Sequence, residues 1–158
     1  MFRSIRRKDR EIPESAAKQL LREARRGILA VNGEDGYPYC IPINYFYDEA
    51  HRQIVFHSSR AGYKVECLSR SDKVCFTVYG NESIRKETWA PFLQSAVVFG
   101  HCRPVADKET AMSLLKQFAM KYYPEESIAD RGIAKSGAAV QVYAISIEYL
   151  TGKEVQEK

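Results

Sequence analysis

The 158-residue sequence lacks the short motifs that announce most enzymes. It has no GxGxxG and no GxxxxGK, so neither common phosphate loop is present. It has no GxSxG elbow and no HExxH zinc pair. Cysteine is sparse: Cys40, Cys67, Cys75 and Cys102 form no CxxC, which removes the support for a zinc ribbon or a thioredoxin-like site. Three of them sit in apolar, strand-like surroundings and read as small buried hydrophobes in a reducing, cytoplasmic setting. Histidine is equally scarce. His101 and Cys102 are adjacent, and neighbours on a strand point to opposite faces, so they are poorly placed to share an ion; no metal site is expected. No apolar run approaches the ~18–20 residues of a membrane span. The N-terminal MFRSIRRKDRE has charges without an apolar stretch behind them, so no secretory signal and no membrane association are expected.

The formal charge is +4, with 24 basic against 20 acidic residues. Residues 1–26 carry nine Lys/Arg and four Asp/Glu; residues 27–158 carry fifteen and sixteen. The excess therefore belongs to one end. The body is neutral, which argues against a nucleic-acid-binding face spread over the fold.

At 45% hydrophobic and 28% charged, the chain has the balance of one folded domain spanning 1–158. Pro13 and Gly27 bracket a helix over 14–26, with Ala17, Leu20, Leu21 and Ala24 on one stripe. With the basic arm this forms the N-terminal unit, 1–26. Barrel strands are expected within 28–105: Ile28–Val31, Tyr37–Phe46, Ile54–His57, Lys73–Tyr79 and Gln94–Val105. A short helix is read within Ser58–Arg70, and residues 81–91 as an irregular polar loop. Pro38 and Pro42 cannot donate ladder hydrogen bonds, so the strand 37–46 is expected at an edge, at a bulge or beside something other than a strand. Gly100 inside a long strand points to a sharp bend or a close backbone approach. Asp107 caps a helix over 107–122, with Met112, Leu115, Ala119 and Tyr122 on one face. Residues 123–137 read as a loop, 140–149 as the last strand and 150–158 as a polar tail. Helices interrupt the strands without alternating with them. The fold class is therefore mainly β: a barrel of about six antiparallel strands with flanking helices.

With no obvious nucleophile or inward carboxylate pair, any chemistry is expected to come from a bound cofactor. The segment His57-Ser58-Ser59-Arg60-Ala61-Gly62-Tyr63-Lys64 leaves a strand and opens a helix. Its hydroxyls, its two cations, a glycine that admits a ligand to the backbone, and the free N–H groups of a helix start all suit a phosphate monoester. A plain N-cap with solvated charges accounts for the same residues. The apolar strands around Ile41–Phe46 and Val74–Val78 could wall a flat ring, or simply be core.

These residues carry a resemblance. The ordered set RRKDRE (6–11), GEDGYPYCIPINYFYD (33–48), IVFHSSRAGYK (54–64), KVCFTV (73–78), SAVVFGHCRPV (95–105) and ISIEYLTGK (145–153) resembles the pyridoxamine 5′-phosphate oxidase-like flavoproteins with an FMN-binding split β-barrel. Within them it is most similar to the nitroimidazole-resistance branch. The resemblance implies a homodimer with FMN at the interface and a small-molecule substrate, with no nucleic acid or membrane partner. It implies Ser58 and Lys64 on the FMN phosphate, with Ser59 and Gly62 in the same pocket. It implies Pro42, Ile43, Asn44 and Tyr45 along the isoalloxazine ring, and Phe76 and Thr77 flanking ring or ribityl chain. Gln94 and Ser95 would come from the second subunit, and His57 would act as the substrate-side proton donor. The function implied is an FMN-dependent oxidoreductase, with nitro-aromatic reduction as the branch's activity. The tail offers only Lys153 and Lys158 after the last strand, too few basic residues for pyridoxamine phosphate itself. The alternative is a flavin- or haem-binding protein without turnover, with His57 and His101 as the axial candidates.

Overall fold

In the computed structural model, which describes residues 1–156, the chain folds as α1 (Glu14–Glu23), β1 (Arg26–Asn32), β2 (Pro38–Asn44), β3 (Phe46–Asp48), β4 (Gln53–Ser58), α2 (Tyr63–Arg70), β5 (Lys73–Arg85), β6 (Ala90–Pro104), α3 (Lys108–Tyr122), α4 (Glu126–Ser136) and β7 (Gln141–Gln156). The strands form one antiparallel sheet in the order β2-β1-β5-β6-β7-β4-β3. Its alternating inner residues bury together: Leu29 and Val31 from β1, Phe76 and Val78 from β5, Val98 from β6, Ile54 and Phe56 from β4, and Ile145 from β7. This is the period-two burial of a sheet curled around one core.

β2 lies at the sheet's edge and pairs only with β1 among the described residues. That is where a strand with two prolines is tolerated. At Gly100 the ladder shifts: Phe99 opposes Tyr149 but Gly100 opposes Ile147, leaving Glu148 as the extra residue of a bulge. A Cβ on Gly100 would stand 2.1 Å from the Ser146 carbonyl oxygen, so the close approach is real and requires glycine. α1 packs Ala17, Leu20 and Leu21 into the main core. α3, capped by Asp107 accepting from the Thr110 N–H at 2.8 Å, lays Leu114 and Leu115 on Val55 and Val142 in a second core.

Several expectations need correction. Among the described residues there are seven strands, because the expected strand 37–46 breaks after Asn44, ending β2 there and starting a separate β3 at Phe46. Residues 81–91 are mostly a β-hairpin: β5 continues to Arg85 and β6 begins at Ala90. The stretch 150–156 is strand, since cross-strand pairing with residues 92–98 of β6 supplies partners that a polar tail alone does not announce; residues 157–158 of the expected tail, Lys158 included, lie outside the described residues. The expected loop 123–137 holds α4, whose glycines hide a helix held against α3 by Lys116 pairing with Glu126 and Asp130. α1 ends at Glu23, short of residue 26, because Arg26 already pairs with Asn44. Helix α2 starts only at Tyr63. Cys40 is exposed on the outer face of β2 and is no core residue, while Cys67 and Cys102 are buried. On α3 it is Leu114, Leu115, Phe118 and Ala119 that bury; Met112 and Tyr122 are only half-buried.

The N-terminal charges are partly paired, Arg7 with Asp9 and Lys8 with Glu11, both at 2.7 Å. One carboxylate is buried among the described residues. Asp48, its side chain 7% exposed, accepts from Gln53 Nε2 and His51 Nδ1 at 2.8 Å each. Burial pushes its pKa up, but the hydrogen bonds from Gln53 and His51 outweigh that and leave it below the usual carboxylate value. A carboxylate depressed on folding stabilises above its unfolded pKa of about 3.9, and that stability is lost as pH falls through the folded value. Asp48→Asn is therefore expected to flatten the acid side of the stability profile below about pH 4. Parallel denaturation profiles for variant and wild type would show that Asp48 does not contribute.

Candidate functional site

β4 runs out of the core at Phe56 and delivers His57 and Ser58 to the barrel's end, where they pair with Val142 and Gln141 of β7. The chain then turns. The Ser59 hydroxyl donates to the Ala61 carbonyl at 2.6 Å. Gly62, at φ +122°, has nothing within 4 Å of the place a Cβ would occupy. That backbone conformation is open to glycine and strained for other residues. α2 begins immediately after. Its Tyr63 hydroxyl accepts from the Glu34 N–H at 2.9 Å, and its ring meets Tyr39 edge-on, which fixes the helix start against β1 and β2.

Two cations stand in this turn without carboxylate partners among the described residues. The Arg60 guanidinium donates to Gln141 Oε1 at 3.2 Å and to the Ala138 carbonyl at 3.4 Å, both neutral. Lys64 sits half-buried in the first turn of α2, its ammonium 5.6 Å from the Phe56 ring centroid. Burial lowers its pKa, the mark of a cation with too little compensation around it. His57 remains accessible as a residue, yet its ring packs edge-on against Phe118 at 4.8 Å. That desolvation, together with the Lys64 charge, lowers its pKa below the ordinary histidine value.

The residues of the expected ring-binding wall divide by face. Register places Pro42, Ile28 and Thr77 side by side across β2, β1 and β5, pointing away from the core. Pro42 and Thr77 line a cavity of about 350 Å³ together with Arg25, Arg26 and Tyr79. Asn44, two residues on, shares the outer face with Pro42 and is exposed. Ile43, Tyr45 and Phe76 face inward. Phe76 is fully buried, edge-on to Tyr45 at 4.8 Å, and its ring fills the space beside Gly27, where a Cβ would fall 2.1 Å away. The side chains of Phe76, Ile43 and Tyr45 are therefore core, and Phe76 pairs through its backbone with Leu29 and Val98 on either side. The Thr77 hydroxyl donates to the Ala96 carbonyl at 2.9 Å. Gln94 and Ser95 lie on β6; Gln94 Oε1 accepts from Asn81 Nδ2 at 2.7 Å and Ser95 opposes Tyr79 and Lys153.

Sequence reasoning missed a clamp at the end of α3. The Lys121 ammonium donates to the Ala24 carbonyl at 2.7 Å and the Tyr45 carbonyl at 3.0 Å, 3.8 Å over the Tyr45 ring. Burial, with Arg25 nearby, lowers its pKa to about 8. The Tyr122 hydroxyl accepts from the Tyr45 N–H at 2.8 Å and donates to the Arg25 carbonyl at 2.6 Å. Together they hold the exit of β2. The side chains of Lys121 and Tyr122 carry no local motif; only the ArgArgGly at 25–27 could have signalled this corner.

His101 does not suit an axial haem ligand. Its Nδ1 lies 2.9 Å from an Asp72 carboxylate oxygen and its Nε2 3.3 Å from Glu148, so both ring nitrogens face acids. Among the described residues no three His, Cys, Asp or Glu side chains gather as a metal site. No helix is long and apolar enough to cross a membrane among them either.

The sheet order, the free β2 edge and the helix-bearing β6–β7 connection define a split-barrel protein. The chain belongs to the family described as pyridoxamine 5′-phosphate oxidase, whose profile matches residues 13–154. Solved structures share the fold. One from Bacteroides thetaiotaomicron, described as a 5-nitroimidazole antibiotic resistance protein, superposes with TM-score 0.78 at 19% identity over 92% of this chain and 87% of its own. A FAD-binding protein from Mesorhizobium loti gives 0.67 at 21% identity over 92% and 97%. A flavocytochrome from Azotobacter vinelandii gives 0.79 at 18% over 98% and 75%. No curated protein sequence matches the chain significantly.

Proposed function

We propose that the chain binds FMN and works as an FMN-dependent oxidoreductase on a small organic substrate. The observation that carries this reading is the turn 57–64. A half-buried lysine and an arginine, both without acid partners among the described residues, flank a left-handed glycine at the start of a helix. A phosphate dianion is the compensation such a turn lacks. The residues fit the group. Lys64 and Arg60 supply charge, Ser58 a hydroxyl, and the backbone of Ser59–Gly62 close approach. The edge of β2 at residues 42–44 pairs with no further strand among the described residues and offers backbone groups to the polar edge of a flat ring; the Tyr45 N–H and carbonyl are already held by Tyr122 and Lys121. Thr77 stands beside Pro42 on the same face.

When bound, FMN supplies hydride or electron transfer to the substrate. This chain's residues orient the group, keep water from one face and place the His57 imidazole where a proton can be given or taken. The relative described as a nitroimidazole resistance protein supports a nitro-aromatic substrate. A homodimer is part of the proposal. The outer face of β2, β1 and β5 shows Ile28, Pro42 and an exposed Tyr79, apolar surface that a second copy would cover while contributing Gln94 and Ser95. Four free cysteines suit a cytoplasmic location.

The test is the visible spectrum of the purified protein. Flavin bands with one FMN per chain are expected. A Soret band would replace this reading by haem binding, and a colourless protein that takes up no added FMN would remove it.

A further inference from the structure

A second cavity, of about 390 Å³, opens between α3, α4 and the end of β4. Leu115, Phe118, Ile133 and Val140 make its walls apolar, and Phe118 presents an aromatic ring. Its ionisable lining is His57 and Lys135, with the Tyr123 phenol; no carboxylate of the described residues lines it. The acids of α4 that could have neutralised it are turned elsewhere, Glu126 and Asp130 both pairing with Lys116. Lys135 has no ion-pair partner among the described residues. The charge that acts on His57 is also positive, that of Lys64. The volume is at the small end of ligand pockets, room for one ring with one substituent.

We propose that this cavity binds a one-ring aromatic anion, such as an aromatic carboxylate, with its ring on Phe118 and its negative group toward His57 and Lys135. His57 is shared: it lines this cavity and begins the turn that would hold the FMN phosphate. That the ligand is the substrate rests on the proposed flavin chemistry; the binding itself does not. The imidazole can donate one hydrogen bond to the anion, and Lys135 supplies charge.

The probe is 4-fluorobenzoate, followed by fluorine NMR line broadening on the full chain as purified and after flavin removal, with benzylamine as a cation of the same size. Saturable binding of fluorobenzoate and none of benzylamine is expected. Gly132 lines the cavity, and a Cβ there meets nothing closer than the Tyr123 hydroxyl at 3.6 Å, so Gly132→Leu can fill the space. Leucine also favours the helix over glycine, so the variant is expected to keep its thermal transition and lose saturable binding. Lys135→Gln is expected to weaken binding about tenfold, the loss of one charged hydrogen bond. Should Gly132→Leu fail to fold, Lys135→Gln and His57→Ala carry the test. Equal binding of benzylamine, or undiminished binding in the folded variants, overturns the proposal. FMN content is read separately from visible absorbance. Fluorobenzoate binding without FMN sinks the flavin reading alone, and FMN binding without fluorobenzoate sinks this one alone.

Discussion

Lys64→Ala is expected to weaken FMN binding by about 10- to 140-fold, the equivalent of about 1.5–3 kcal/mol for one hydrogen-bonded charge. The argument is one of compensation. Lys64 is half-buried in the first turn of α2 and finds no acid among the described residues, and burial lowers its pKa. Such a cation costs the protein stability until an anion arrives. Removing it should therefore leave the flavin-free protein as stable as before, or slightly more so, while the complex is lost. The measurement is a titration of FMN fluorescence quenching, paired with thermal unfolding of the flavin-free protein. Unchanged FMN affinity would take Lys64 out of the site. A large fall in flavin-free stability would instead make it a structural residue.

Phe76→Ala is expected to act the other way. Truncating a fully buried phenylalanine costs about 3–5 kcal/mol, through lost transfer energy and the cavity left behind. For a domain of this size, that is a fall in Tm of about 6–20 °C. The surroundings give little chance of relaxation. Gly27 already abuts the ring and Tyr45 meets it edge-on. Tyr45 in turn is tied through its hydroxyl to the Leu21 carbonyl at 2.7 Å, and burial keeps that phenol protonated. The folded fraction is expected to bind FMN with nearly unchanged affinity, because the ring never reaches the outer face. Thermal denaturation and the same FMN titration check both halves. A variant with wild-type stability and no FMN binding would restore the side chain to the site.

The pair shows where local pattern carried the reading and where it failed. Val74-Cys75-Phe76-Thr77-Val78 is recognisable as a strand because β-branched and aromatic residues alternate through it. Alternation says that Phe76 and Thr77 face opposite ways, but not which of them looks inward. That depends on the neighbouring strands, and the Leu29–Phe76 and Ile28–Thr77 pairs decide it. Pro38 and Pro42 were legible as an edge because a missing N–H has the same consequence in every fold. The turn 57–64 was legible because hydroxyls, cations and glycine lie within eight consecutive positions. Arg25, Lys121 and Tyr122 were not, since they meet only through contacts almost a hundred residues apart in sequence. Helix α4 was hidden by Gly132 and Gly137 and by its dependence on α3 for burial; Ala129 is its one buried residue.

By itself, then, the sequence determined the kind of structure and the place of the turn: antiparallel strands, flanking helices, a proline-bearing strand unsuited to the sheet interior, and a turn rich in hydroxyls and cations. Each of these follows from short-range chemistry, from φ restriction, side-chain alternation and missing donors. The tertiary structure alone decided which side of each strand is core, which cations are left without acids, and that His57 adjoins a cavity beneath α4. Those properties belong to register and packing, where one residue's surroundings are set by partners far along the chain.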